Sequence, residues 1–252
     1  MANETEKMII AGARLLPKDT AIYVGTGMPL LASMLALRTH APDLLFVYEG
    51  GGVGGQPTGR LPIQVSESLT YENGVIVGSM DYVMSLAQAG WVQYGFLGGA
   101  QIDPYGNLNT TVIGDWEKPK VRLPGSGGGA DIASLCEKNI ILMRQDRYKF
   151  VEHVDFLTSP GYLTGDGARE AAGLPAGSGP YRVITQFGIY GFDDETKRIK
   201  LLQLFEGYTL DDIQENSSFP IAVADDWTYV PDPSAEELKA LRALDPDGIV
   251  IG

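Results

Sequence analysis

The order of short apolar segments near the N-terminus does most to limit what this chain can fold into. The segment from residue 4 carries apolar side chains at Met8, Ile9, Ala11, Ala13, Leu15 and Leu16, a roughly helical spacing. "TAIYVGTG", Thr20 to Gly27, reads as a short buried strand ending in glycines. "MPLLASMLALRTHAP" reads as a helix that stops before Pro42, because the residue before a proline avoids helical backbone. "DLLFVYEG" is a second short run of aliphatic and aromatic residues, with Glu49 at its C-terminal end. Helix, strand, helix, strand predicts an α/β fold with parallel pairing.

The alternation resumes after a polar, glycine-rich section. "MDYVMSLAQAGWV" and "GADIASLCEKN" have helical patterns; "QYGFLGGAQID", "NLNTTVIGD", "NIILMRQD", "VDFLTSP", "YRVITQFGIYGFD" and "RIKLLQLFEG" read as strands. "GFDDETK", Gly191 to Lys197, is a hairpin turn between the last two. "TLDDIQENS" and "SAEELKALRAL" are helical, the second starting at Ser234 with Glu236 and Glu237 in its first turn. Pro160 to Pro180, rich in glycine and proline, is the longest expected loop. No repeat or low-complexity linker interrupts the chain, which is read as one domain over residues 1–252.

Composition narrows the function classes. At 44% hydrophobic and 20% charged, 252 residues suffice for a sizeable core. A formal charge of −13 disfavours nucleic acid and anionic membrane surfaces. It leaves room for an anionic small ligand held by backbone amides. Cys136 is the lone cysteine, which excludes an intrachain disulfide and suits a cytoplasmic protein. The N-terminal "MANETEKMIIAGARLLP" is too charged for a signal peptide, and no apolar run reaches the roughly 18 residues a membrane span needs. With His40 and His153 far apart and one cysteine, no metal-ligand motif is dense enough to predict a bound metal.

Two glutamates compete for a chemical role. Glu49 is followed by glycine at five of the next six positions, all but Val53. In open α/β sheets ligands bind beyond the carboxyl ends of strands. Glycines there let backbone approach a ligand and leave N–H groups to donate. A carboxylate so placed can act as base or as nucleophile toward an acyl group. It can equally face water in a glycine-rich loop, and the residues alone leave both readings open. Glu72 lies in "TYENGVIV", where Asn73-Gly74 between two β-prone runs signals a hairpin turn. That turn accounts for Glu72 as a solvated flanking residue.

Other candidates carry less. Gly125, Gly127 and Ala130 in "LPGSGGGADIASL", with Asp146 further on, mimic a dinucleotide fingerprint. The motif should follow an apolar strand, and "EKPKVRLP" is not one. A glycine turn feeding a helix, with amides that bind a phosphate or carbonyl oxygen, or a tight turn only, reads better. Asn107 and Asn109 read as turn caps, Cys136 as core, and His40 and His153 as helix-end or surface residues. Arg144, Arg147 and Lys149 form a small basic cluster that could meet phosphates, though salt bridges to the many acids read better.

Together these stretches resemble the β subunit of a family I CoA-transferase, closest to the glutaconate CoA-transferase branch. "VGTGMPLLAS", "APDLLFVYEGG", "GGAQIDPYGNLNTTVIGD" and "LPGSGGGADIAS" carry the resemblance, with "DFLTSPGYLTGDGAREAAGLP" and "LRALDPDG" later, so it covers nearly the whole chain in order. The resemblance implies an α/β fold of the CoA-transferase type, a single domain with a mostly parallel open sheet flanked by helices. It maps the family's nucleophilic glutamate onto Glu49, followed by Gly50, Gly51, Gly54 and Pro57. Tyr48 stands where a serine is usual, and Gly50 where asparagine or serine is usual.

The implied chemistry is a ping-pong CoA transfer through an acyl-glutamyl anhydride and a glutamyl-CoA thioester on Glu49. Gly127, Gly128, Gly129 and Ala130 are the implied oxyanion and CoA-binding residues; Gln101 and Asn109 are the candidates to hold the carboxylate. Coenzyme A enters as a thioester substrate, with no cofactor held permanently and no metal. The implied partner is a homologous α subunit, in a heterotetramer or larger, without which the chain is inactive. Relatives of this fold that act as acyl-CoA hydrolases or decarboxylases are the alternative; a non-catalytic binding subunit is an alternative of another class.

Overall fold

In the computed structural model, which describes residues 2–58, 60–165 and 167–252, Asn3 opens the first helix. Its side chain accepts the Glu6 N–H at 2.8 Å, and the Glu6 carboxylate accepts the Asn3 N–H at 2.9 Å. This reciprocal cap satisfies donors that a helix start otherwise leaves unpaired. The chain groups into two compact units, residues 1–96 with 232–252 and residues 97–231.

In the first unit α1 (Glu4–Arg14) leads to β1 (Ala21–Tyr23), α2 (Met28–Thr39) and β2 (Leu45–Val47). β1 and β2 pair in parallel, with Ile22 opposite Phe46. The sequence of α2 is apolar on all sides, and Leu30 to Ala36 are all buried. β3 (Gly52–Val53) and β4 (Ile76–Val77) add antiparallel strands beyond β2. α3 (Met80–Gln88) then leads to β5 (Tyr94–Leu97), which pairs in parallel with the other side of β1. The order β5-β1-β2-β3-β4 thus places β1 at a reversal of strand order, where open sheets form a crevice beyond the strand ends.

The second unit holds the small antiparallel pair β6 (Gln101–Ile102) and β7 (Leu108–Asn109), and the hairpin of β8 (Val112–Gly114) and β9 (Pro119–Arg122). α4 (Gly129–Leu135), β10 (Lys138–Leu142), α5 (Ala168–Ala171), β11 (Gly179–Ile184), β12 (Gly188–Phe192), β13 (Ile199–Leu204), α6 (Leu210–Glu215) and β14 (Ala222–Tyr229) follow. Its main sheet runs β14-β13-β12-β11-β10, with β10 and β11 parallel, β12 and β13 antiparallel, and β14 parallel to β13. The fold is therefore α/β, an open and largely parallel sheet architecture flanked by helices, with antiparallel strands where the chain makes hairpins.

Several expected strands differ. "QYGFLGGAQID" splits at Gly98 to Ala100, because the Ala100 N–H donates to the Asn109 carbonyl and starts a separate pair with β7. "NLNTTVIGD" splits where the Asn109 side chain accepts the N–H groups of Thr111 and Val112. "YRVITQFGIYGFD" is two strands, β11 and β12, turning at Thr185 to Gly188. "VDFLTSP" is not a strand; only Ser159 bridges to Leu108. β14 escaped notice because its residues are mostly exposed and include Asp225 and Asp226. The Pro160–Pro180 stretch, whose residue 166 lies outside the described residues, contains α5. There Arg169, 1% exposed, donates to the carbonyls of Pro160, Gly161 and Ala133, and burial lowers its pKa.

The last helix, α7 (Ala235–Leu244), belongs to the first unit and packs on α1 and α2. Ser234 accepts the Glu237 N–H, and Glu237 accepts the Ser234 N–H. Glu237 also takes two hydrogen bonds from Arg14, both 2.7 Å, in the bidentate geometry that suits guanidinium and carboxylate. Arg14 is the main cause that lowers the Glu237 pKa from 4.5 to about 2. A depressed folded pKa gives stability that is present above about pH 4.5 and lost as pH falls toward about 2. Urea unfolding at a series of pH values should show the wild type losing stability across that window. Glu237→Gln should lose distinctly less there, while being less stable near neutrality.

Candidate active site

Glu49 sits in a tight turn. The Gly51 N–H donates to the Tyr48 carbonyl at 2.9 Å, and the Tyr48 N–H donates to the Gly52 carbonyl at 2.8 Å. This closes a four-residue turn at the carboxyl end of β2, with half-buried Glu49 at its second position. The chain then returns as β3, with Val53 opposite Val47. Tyr48 points into the core, fully buried, and its hydroxyl has no partner among the described residues. Burial pushes that phenol's pKa well up, so it stays protonated beside Glu49.

The glycines after Glu49 serve a purpose the sequence did not specify. They admit the chain's own segment 65–78 rather than open space. A Cβ on Gly51, whose φ is +118°, would lie 2.2 Å from the Gly78 carbonyl oxygen. A Cβ on Gly55 would lie 1.9 Å from the Thr70 carbonyl oxygen. Between them run backbone bonds from Gly78 N–H to Gly51 O and from Val75 N–H to Val53 O, both 2.9 Å. The 65–78 segment has its own internal order. Glu67 pairs with Arg60 and accepts the Ile63 N–H, ahead of a short 3-10 turn, Ser68–Tyr71.

Glu72 has the structural role expected of it. Its carboxylate accepts the Thr58 N–H at 2.7 Å, and that bond lowers its pKa. The Gly74 N–H donates to the Tyr71 carbonyl, with Asn73 at φ +56°, a type II turn. The turn joins the 3-10 segment to β4, so Asn73-Gly74 does not link two strands paired with each other as the hairpin signal predicted. Tyr71, next to Glu72, reaches the Glu49 turn itself: its hydroxyl donates to the Gly50 carbonyl at 2.8 Å. No spacing or motif signalled that contact, which spans 21 residues.

The remaining predicted site residues lie in the second unit. Asn109, fully buried, donates from Nδ2 to Gln101 Oε1 at 2.7 Å and to the Val112 carbonyl at 2.6 Å. Gln101 Nε2 donates to Asp155 Oδ2 at 3.1 Å, and Gln101 Oε1 also accepts the Asp155 N–H. Asp155, which sequence reasoning passed over, further accepts the Gly114 N–H. The three side chains thus lock the β6–β7–β8 turns together. Asn107 caps turns as expected, accepting the Gly161 and Leu163 N–H groups.

In the glycine turn ahead of α4, Ser126 accepts the Gly129 N–H on its carbonyl and the Ala130 N–H on its hydroxyl. Those two amides are engaged, whereas the Gly127 N–H, at φ +49° on the exposed apex, meets no acceptor among the described residues. The dinucleotide-like motif follows β9, the second strand of an antiparallel hairpin, not a parallel core strand. Asp146, the would-be ribose ligand, instead accepts the Tyr148 and Lys149 N–H groups and pairs with Lys149. Cys136 is core, its thiol pushed up by burial to about 12. His40 ends α2, with Nε2 3.0 Å from the Leu16 carbonyl oxygen. Among the described residues no group of three or more His, Cys, Asp or Glu is arranged to hold a metal ion, and no helix is long and apolar enough to cross a membrane.

These features define an open-sheet α/β protein with a carboxylate turn at the carboxyl end of a parallel strand. The sequence matches the coenzyme A transferase family model over residues 5–216, and the chain belongs to that family. It is 37% identical to one of the subunits of 3-oxoadipate CoA-transferase from Pseudomonas knackmussii, over 95% of this chain and 92% of that one. It is 35% identical to the corresponding subunit of glutaconate CoA-transferase from Acidaminococcus fermentans, over 96% and 92%. The crystal structure of glutaconate coenzyme A-transferase from Acidaminococcus fermentans superposes with a TM-score of 0.93, covering 99% of this chain and 97% of that one at 32% identity.

The close backbone approach at Gly55 predicts intolerance of a single methyl group. Gly55→Ala should lower unfolding stability by about 1–3 kcal/mol, read from urea denaturation. It should also expose residues 60–78 to limited proteolysis under native conditions.

Proposed function

We propose that this chain is the glutamate-bearing subunit of an acyl-CoA:carboxylate CoA-transferase and works together with a homologous α-type subunit. Membership of the coenzyme A transferase family supports the reaction class. Both relatives are named as single subunits of multi-subunit CoA-transferases, which supports the partner. Both are also named for dicarboxylic acids, so we take a dicarboxylic acid to be one of the two exchanged acids. Coenzyme A enters and leaves as a thioester of the substrates.

The observation that carries the reading is Glu49 held at the carboxyl end of β2 in a turn closed by hydrogen bonds at 2.8 and 2.9 Å. On this reading the Glu49 carboxylate attacks the carbonyl of an acyl-CoA, forming a mixed anhydride and releasing CoA thiolate. The thiolate attacks the glutamyl carbonyl of the anhydride, giving a glutamyl-CoA thioester and the first carboxylate. The second carboxylate attacks that thioester, forming a new mixed anhydride and CoA thiolate. The thiolate then takes the new acyl group and restores Glu49. Covalent catalysis divides one difficult exchange into easier steps, and each step develops an oxyanion that needs donors.

Of the expected donors Gly127, Gly128, Gly129 and Ala130, we assign Gly127 first, because Ser126 already occupies the amides of Gly129 and Ala130. The carboxylate-orienting role expected of Gln101 and Asn109 falls to Gln101, since Asn109 spends its amide hydrogens on Gln101 and Val112. Exclusion of water protects the anhydride and thioester from hydrolysis.

The test is mass spectrometry of this chain co-expressed with its α-type subunit, incubated with an acyl-CoA and trapped with borohydride or hydroxylamine. The expected result is a mass change confined to the Glu49 peptide. Glu49→Gln should abolish the adduct and lower turnover by at least about 10³-fold, while Glu72→Gln should keep both. Steady thioester loss with Glu49 unmodified would favour a hydrolase or decarboxylase. Turnover unaffected by Glu49→Gln would place the chemistry on the partner.

A further inference from the structure

The second peptide after Glu49, between Gly50 and Gly51, is flanked by glycine on both sides. Neither residue has a Cβ, so their own side chains do not restrict that peptide plane, and its orientation depends on what the surrounding chain supplies. Two hydrogen bonds hold it. Its N–H end, on Gly51, donates to the Tyr48 carbonyl at 2.9 Å and closes the turn. Its carbonyl end, on Gly50, accepts the Tyr71 hydroxyl at 2.8 Å. Rotating the plane would break both bonds, and losing the first would open the turn that carries Glu49.

Gly50, Gly51 and Gly52 themselves offer no side chain to hold this plane. The lock has to come from elsewhere in the chain. Tyr71 is suited to it: it ends the 3-10 turn Ser68–Tyr71, and its ring lies against Gly52, where a Cβ would come within 3.1 Å of Tyr71 Cδ1. The type II turn at Tyr71–Gly74 fixes the backbone from which the tyrosine projects.

Resting on the reading of Glu49 as nucleophile, we propose that Tyr71 is a positioning residue for that carboxylate, acting by locking the Gly50–Gly51 peptide plane. A nucleophile that must attack two different carbonyls in turn gains from a backbone that does not reorient between steps. The lock acts on catalysis after substrate is bound, so it should appear in kcat and not in KM.

The experiment is Tyr71→Phe in the assembled two-subunit enzyme, which removes one oxygen and keeps the ring. We expect kcat to fall about five- to tenfold, the loss of one hydrogen bond, with KM unchanged and Tm lowered by no more than the roughly 2–4 °C that one hydrogen bond accounts for. Formation of the Glu49 adduct should slow in the same ratio, and hydrogen–deuterium exchange should speed up in the peptide spanning residues 46–57. A kcat within twofold of wild type, or unchanged exchange in that peptide, would overturn the proposal. So would a larger drop in Tm with kcat and KM shifting together, which marks a purely structural tyrosine. Glu49→Gln, measured alongside, separates the two readings. If it stays active, the nucleophile assignment fails first; if it is dead while Tyr71→Phe is normal, only the lock fails.

Discussion

Backbone pressed directly on backbone organises the region around Glu49. The turn at residues 48–55 and the segment at 65–78 approach so closely that side-chain carbons on Gly51 and Gly55 would sit 2.2 and 1.9 Å from carbonyl oxygens. Such distances allow no substituent, so the glycines are a steric requirement of this contact. What is gained is a turn braced by its neighbour's amides and carbonyls, with Gly78 and Val75 both donating across the gap. On the proposed role of Glu49, position would cost little entropy at the moment of reaction, because folding has already restricted the backbone. It also explains how a glycine-rich stretch, flexible in isolation, can present a carboxylate in one place.

The second unit solves the same problem with side chains. Its loops are short and polar, and amide side chains replace the missing backbone partners: Asn107 for the 161–163 turn, Asn109 for the 111–112 turn, and Gln101 with Asp155 between them. Arg169 extends this principle. A fully buried guanidinium is costly to desolvate, yet it finds three carbonyl oxygens and the Ser178 hydroxyl. One of those carbonyls, that of Ala133, lies in α4, so the same arginine ties the 160–161 loop to the helix that follows the glycine turn.

Much of this was legible in the residues. The helix–strand alternation placed Glu49 at a strand's carboxyl end, and Ser234 with Glu237 marked a helix start; Asn73-Gly74 marked a turn, though not the hairpin it signalled. These are local signals, settled by period, turn chemistry and capping within a few positions. Failures came where pairing, not pattern, decides. "VDFLTSP" has a strand's composition but finds one bridge only, and β14 looks too polar for a strand yet pairs in parallel with β13.

The sequence by itself determined the class of backbone and the carboxylate at the end of β2, and it permitted, without requiring, a close approach to the residues after it. Only the tertiary structure decided what that something is. Glycine reports the absence of a side chain, and that absence reads the same whether a ligand or the chain's own backbone fills the space. Tyr71, 21 residues from the carbonyl it holds, shows the limit most clearly. Its hydroxyl carries no local mark of its partner, because the contact exists only once β3 and β4 have paired and laid one segment over the other.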